Sequence, residues 1–201
     1  MTDELQKQQR HKSRQQRLKT EVDKAIAAAT DERGLLLVIT GNGKGKSTSG
    51  FGTVARFVGH GMRAAVAQFI KGSWDCGERN LLQQHGVVFA VMATGFTWDT
   101  QDKAADMAAA EQVWLQAEQY LSDAAIDVVL LDELTYMLSY HYIELERVER
   151  ALLNRPAQQH VIITGRACHR RIIELADTVS EVQNVKHAFD SGIKAQRGLD
   201  W

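Results

Sequence analysis

A chain of 201 residues with 44% hydrophobic side chains has the length and apolar content for a single domain with a well-buried core. Its 24 Lys and Arg against 25 Asp and Glu leave a formal net charge of −1, which excludes a global electrostatic drive toward nucleic acid or an anionic membrane. No stretch approaches the ~20 apolar residues that cross a bilayer. The opening Met1-Thr2-Asp3-Glu4 has neither the basic nor the apolar segment of a secretory signal. Two cysteines, Cys76 and Cys168, make no disulfide framework and fit a reducing, cytoplasmic setting, with inert thiols expected over reactive ones.

Residues 1–33 differ from the rest. Lys7, Arg10, Lys12, Arg14, Arg17 and Lys19 follow one another with no acid between them, and Met1 and Leu5 are the only aliphatic side chains before Leu18. Such a stretch cannot bury enough apolar surface to fold alone. From there Leu18, Val22, Ala25, Ile26 and Ala29 recur at helical spacing, predicting a short amphipathic helix. The segment reads as a basic, partly disordered arm. It is either simply solvated or ordered over an anionic or amide-rich ligand, including one on a neighbouring subunit.

Residues 34–201 read as one α/β domain. An apolar strand over 35–40 feeds the turn Gly41-Asn42-Gly43-Lys44-Gly45-Lys46-Ser47-Thr48, which opens a helix over 45–59. Glycines let successive backbone N–H groups point into one concavity, and the helix aims its positive end at the same place. Lys46 adds a point charge and Ser47 a hydroxyl suited to Mg²⁺, so the turn reads as a P-loop for a nucleoside triphosphate. It is compressed: three residues separate Gly41 from Gly45-Lys46-Ser47, where four are usual. Thr40 stands where the first glycine normally does, and Lys44 places a second cation inside the loop.

Further strands are predicted at 63–70, 87–92, 126–132, 160–164 and 178–182, and further helices at 78–85, 101–124, 144–154 and 169–176. The near-continuous Val, Ile, Leu and Ala of the strands suits burial on both faces. The βα alternation predicts about six mainly parallel strands with helices on both faces, a P-loop NTPase-like (RecA-like) three-layer fold. Met107, Ala110, Trp114, Ala117 and Leu121 form one helical stripe for core packing. Ligands of such sheets bind beyond the carboxyl ends of the strands. There Asp132-Glu133 follows Val128-Val129-Leu130-Leu131, as an acid that holds Mg²⁺ beside the loop hydroxyl does. The loop Gly95-Phe96-Thr97-Trp98 carries two aromatics, either loop anchors or ligand contacts. The run from Thr164 through Gly165-Arg166 to Arg171 is cationic; it contacts phosphates or merely covers a helix start.

These residues resemble the cob(I)alamin (corrinoid) ATP adenosyltransferases of the bacterial P-loop type. The resemblance rests on the glycine turn from Gly41 to Thr48, on Gly95-Phe96-Thr97-Trp98, and on Val129-Leu130-Leu131-Asp132-Glu133-Leu134-Thr135-Tyr136. It continues through Val161-Ile162-Ile163-Thr164-Gly165-Arg166, Cys168-His169 and Ala176-Asp177-Thr178-Val179-Ser180-Glu181. It ends with Val185-Lys186-His187-Ala188-Phe189-Asp190 and Gly192-Ile193-Lys194-Ala195-Gln196. Two departures are Ser47 where threonine is common and Ala167 where glycine is common.

The resemblance implies transfer of the 5′-deoxyadenosyl group of ATP to Co(I) of a reduced corrinoid, cobalamin or a precursor, with triphosphate leaving whole. It implies Lys46, Phe96 and Trp98 as catalytic residues, with 41–48, Phe96, Trp98 and Arg166 binding ATP and corrinoid. Ser47 and Glu133 would hold Mg²⁺ or Mn²⁺, and Asp132 would stand behind them. Phe96 and Trp98 would lie against the lower face of the corrin, easing reduction to Co(I). A homodimer, a reduced flavodoxin-like electron donor and an N-terminal lid over the corrinoid are further implications. Two rival readings of the motifs are a P-loop ATPase or small-molecule kinase with γ-phosphoryl transfer, and a RecA-like nucleic-acid-binding module using the basic arm. The arm has no interleaved aromatics for base stacking, so no specific nucleic-acid partner is expected.

Overall fold

The structure, a computed structural model, describes residues 3–70, 75–92 and 102–200. The chain divides into two compact units, Met1–Glu32 and Arg33–Trp201. In the first, helix α1 spans Asp3–Ala28. It begins well before the apolar spacing that starts at Leu18. The physical reason is propensity: Gln, Lys, Arg and Glu dominate 3–17, and all are strong helix formers even without a face to bury. Residues 4–32 are exposed.

The second unit alternates strands and helices. Strands β1 (Leu36–Thr40), β2 (Ala64–Gln68), β3 (Val88–Val91), β4 (Val128–Asp132), β5 (His160–Thr164) and β6 (Thr178–Glu181) are joined through α2 (Lys46–Gly59), α3 (Gly77–Gln84) and α4 (Lys103–Ser122). Helices α5 (Leu134–Ser139), α6 (Leu145–Leu153) and α7 (Arg170–Leu175) follow, and a 3₁₀ turn at Ala188–Ser191 closes the described elements. The strands form one sheet in the order β3-β2-β4-β5-β1-β6, every neighbouring pair parallel.

Alternation along the strands sorts the core into two layers. Ile39, Val66, Val128, Leu130 and Ile162 pack with Phe51 and Val54 of α2 and Leu82 of α3. Val38, Ala67, Val129, Leu131 and Ile163 pack with Trp114 of α4, Met137 of α5, Leu152 of α6 and Ile172 of α7. Helices therefore cover both faces. The loop after β1 departs to one face and those after β4 and β5 to the other, which makes a crevice at the carboxyl edge.

Two local expectations are corrected, and one element is new. Met107 is 38% exposed, and the buried stripe of α4 starts instead at Asp106, which is 1% exposed. All four residues of β6 are exposed, because it is an edge strand and not a doubly covered one. Helix α5 directly after Glu133 carries no sequence signal, since six residues are too few to establish a period.

Candidate nucleotide site

Each of the four central strands ends on a polar residue: Thr40 on β1, Gln68 on β2, Asp132 on β4 and Thr164 on β5. This row lies behind the site without lining it, and the glycine turn forms its wall. The turn is bound to the end of β6: the Gly43 amide donates to the Val182 carbonyl at 2.7 Å, and the Val182 amide to the Thr40 carbonyl at 2.8 Å. A Cβ on Gly41 would stand 2.5 Å from the Val182 oxygen, and one on Gly43 2.5 Å from the Gln183 oxygen. Only glycine admits that approach of two backbones.

Lys46, 6% exposed, folds back so that its Nζ donates to the Gly43 carbonyl at 2.8 Å. Burial lowers its pKa; Glu133 and Asp132 oppose that shift and Arg166 adds to it. These charges therefore converge on one ammonium group. Lys44 lines the same cavity and pairs there with Asp200 at 2.6 Å, which holds the Asp200 carboxyl below the usual carboxylate range. Glu133 sits at φ 61°, in the left-handed region, just ahead of α5. Asp132 is fully buried; its two carboxylate oxygens accept from Gln68 Nε2 at 3.1 Å and from the Thr164 hydroxyl at 2.7 Å. The same hydroxyl accepts from the Glu133 amide at 3.0 Å.

A cavity of 1140 Å³ is lined by residues 42–49, Glu133 and Arg166. The start of α3 and the tail residues His187 and Gly198-Leu199-Asp200 complete the lining. Gly41 lies at the foot of the loop, against Val182. Of the cationic run after β5, only Arg166 faces the cavity. Arg170 pairs with Glu174 within α7, and Arg171 pairs with Glu146 and Glu149 and so ties α7 to α6. Ala167, where the resemblance expects glycine, adopts φ 48°. Phe96 and Trp98 lie outside the described residues. Gln68 and the tail residues Gly198-Leu199-Asp200 were not singled out from the sequence, whereas His187 stands in a block of the resemblance with no role attached. For Gln68 the signal was a polar residue ending an apolar run; the tail gives none, because it reaches the loop from more than 150 positions away.

The donor chemistry fits Mg²⁺. Ser47 and Glu133 supply hard oxygens to one cavity, and no group of three or more His, Cys, Asp or Glu capable of caging a metal occurs among the described residues. Mg²⁺ is typically bound by one or two carboxylates together with phosphate oxygens and water.

The parallel sheet, glycine turn and acid at the end of β4 define a P-loop nucleotide-binding protein of the α/β class. Residues 32–201 match the family model described as ATP:corrinoid adenosyltransferase BtuR/CobO/CobP, and the chain belongs to that family. It is 61% identical to the corrinoid adenosyltransferase of Escherichia coli strain K12, over 96% of this chain and 98% of that one. It is 58% identical, with the same coverage, to corrinoid adenosyltransferase CobA of Salmonella typhimurium. Identity to the Pseudomonas aeruginosa corrinoid adenosyltransferase is 50% over the whole of both chains.

Proposed function

We infer that the protein is an ATP:corrinoid adenosyltransferase that joins C5′ of ATP to the Co(I) centre of a reduced corrinoid and releases triphosphate. One observation carries this reading at the level of the site. Lys44, Lys46, Ser47, Glu133 and Arg166 line a single 1140 Å³ cavity at the carboxyl edge of the sheet. That exceeds the roughly 300–1,000 Å³ of ordinary ligand pockets, so a nucleotide leaves room for part of a second substrate.

The Co(I) lone pair attacks C5′, the C5′–O bond breaks, and its electrons go to the triphosphate oxygen. No general base is required. The chain's task is to grip the leaving group: loop amides and Lys46 hold the phosphates, Lys44 adds a second cation, and Arg166 lines the same cavity. Charge developing on the leaving oxygens is stabilised by groups already fixed in place, an effect often worth several kcal/mol. Ser47 and Glu133 would hold Mg²⁺ or Mn²⁺, which when bound neutralises part of the triphosphate charge. Phe96 and Trp98 are proposed to lie against the lower face of the corrin, and the N-terminal helix to close over it in a homodimer. A reduced flavodoxin-like protein is the proposed electron donor and the cytoplasm the proposed setting. No helix among the described residues is long and apolar enough to cross a membrane.

Gamma-phosphoryl transfer and nucleic-acid binding are not favoured by the family match. Incubating the protein with Mg-ATP and chemically reduced cobalamin should yield adenosylcobalamin and intact triphosphate in equal amounts. Phosphate or diphosphate without adenosylcobalamin would overturn the reading.

A further inference from the structure

The Asp132-Glu133 pair is adjacent in sequence, yet its two members are held in different ways. Asp132 is fully buried and both of its carboxylate oxygens accept hydrogen bonds. Glu133 follows with its backbone in the left-handed region and its side chain among the residues lining the cavity. Between them stands Thr164, also fully buried, at the last position of β5. Its single hydroxyl donates to Asp132 Oδ1 at 2.7 Å and accepts from the Glu133 amide at 3.0 Å. Gln68, fully buried at the end of β2, engages the other Asp132 oxygen at 3.1 Å. The chain of bonds thus crosses three strands and ends on the amide of a residue whose backbone is left-handed.

We propose that Thr164, anchored by Asp132 and Gln68, is the positioning residue that fixes the left-handed Glu133 backbone and so aims the Glu133 carboxylate at the metal bound with ATP. This rests on the reading of Glu133 as a metal-holding residue. A non-glycine residue at positive φ lies above its alternatives in energy and persists only where its surroundings hold it. The Glu133 amide is held by the threonine hydroxyl at 3.0 Å and the Glu133 carbonyl accepts from the Tyr136 amide at 3.2 Å, so φ of Glu133 is fixed between two anchored peptides. Asp132 orients that hydroxyl by accepting its hydrogen bond, which leaves an oxygen lone pair for the amide. The α2 side contributes as well: a Cβ on Gly50 would stand 3.1 Å from Thr164 Cγ2, so the glycine leaves room for the threonine methyl. On this assignment Asp132 does not touch the metal. It sets the geometry of the residue that does, as outer partners of metal ligands commonly do.

The test uses the full chain, with Mn²⁺ and ATP as probe and free Mn²⁺ counted by electron paramagnetic resonance. Thr164→Val keeps the shape and removes the hydroxyl; Thr164→Ser keeps the hydroxyl. Valine is expected to weaken Mn²⁺ binding in the presence of ATP about tenfold or more, while ATP binding without metal changes less than about threefold. Serine is expected to stay within about threefold of wild type. Should the valine protein not fold, Thr164→Ala against Thr164→Ser decides, since both lose the methyl and only alanine loses the hydroxyl. Equal Mn²⁺ affinity in that pair, or an equal loss of metal-free ATP binding, overturns the positioning role. Absence of adenosylcobalamin from the wild-type reaction would instead count against the function itself, so the two failures are distinguishable.

Discussion

Ala167 is the residue at which a local cost is most visible. Its φ of 48° lies in the left-handed region, where a Cβ crowds the following carbonyl. That conformation costs non-glycine residues roughly 1–2 kcal/mol, while glycine would lose about 0.5–1 kcal/mol through the greater freedom of its unfolded chain. Ala167→Gly should therefore stabilise the protein by about 0.5–1 kcal/mol. At this chain length that is a rise in melting temperature of about 1–4 °C. A lower melting temperature by calorimetry would show that the alanine methyl makes a compensating contact. Asp132 presents the opposite case: a fully buried carboxylate whose partners are all in place. Leaving a buried polar group unsatisfied costs about 1–3 kcal/mol, and more where it is charged, so changes here must be read against stability as well as activity. Cys168 is quiet for a plain reason: burial pushes its thiol up to about 11, and little thiolate exists at neutral pH.

Among the elements, β1 carries the loop, and its start is fixed twice. Asp177 accepts from the Leu36 amide at 2.8 Å and pairs with Arg33; the Leu35 amide donates to His160 Nδ1 at 3.2 Å. His160 opens β5 and meets Phe57 of α2 edge-on at 5.1 Å. Burial lowers the imidazole pKa from its ordinary 6.5 and nearby Arg155 lowers it further, with Asp127 opposing. The unfolded chain then binds the proton more readily than the folded one, so stability rises with pH through this window. The contribution of His160 is full above about 6.5 and is lost as pH falls from there toward the depressed folded value. In urea denaturation at pH 7.5 and pH 5.0, wild type should lose more stability on acidification than His160→Gln, which carries no titrating group. Equal losses would mean that the imidazole does not titrate on folding.

At the scale of the whole molecule, the two compact units differ in what holds them. The α/β unit is organised around one sheet with a core on each face, whereas residues 4–32 are exposed and helix α1 rests on propensity. Removing residues 1–32 should leave the melting temperature of the remaining unit within about 2 °C of full length, since surface changes away from buried features are small. Its affinity for metal-free ATP should be unchanged. If the arm closes over the corrinoid, the KM for cobalamin should rise several-fold in the same protein. An unaltered KM would remove the arm from the reaction.

Much of this was legible in the chain itself. All six strands lie within the spans read from apolar runs, and β5 coincides with its span, because a buried parallel strand needs a local run of Val, Ile and Leu. The glycine turn was equally legible, since close backbone approach admits few residue types and the spacing of its lysines is a local property. Helix α5 was not, being too short for a period, and α1 was read short because periodicity reports burial, which that helix does not have. What tertiary structure alone decided is which distant residues meet. Strand order brings Gln68, Asp132 and Thr164 to one edge, separates Arg166 from Arg170 and Arg171, and carries Asp200 to Lys44. Pairings across such distances are set by how the whole core packs, and no short window of sequence contains that information.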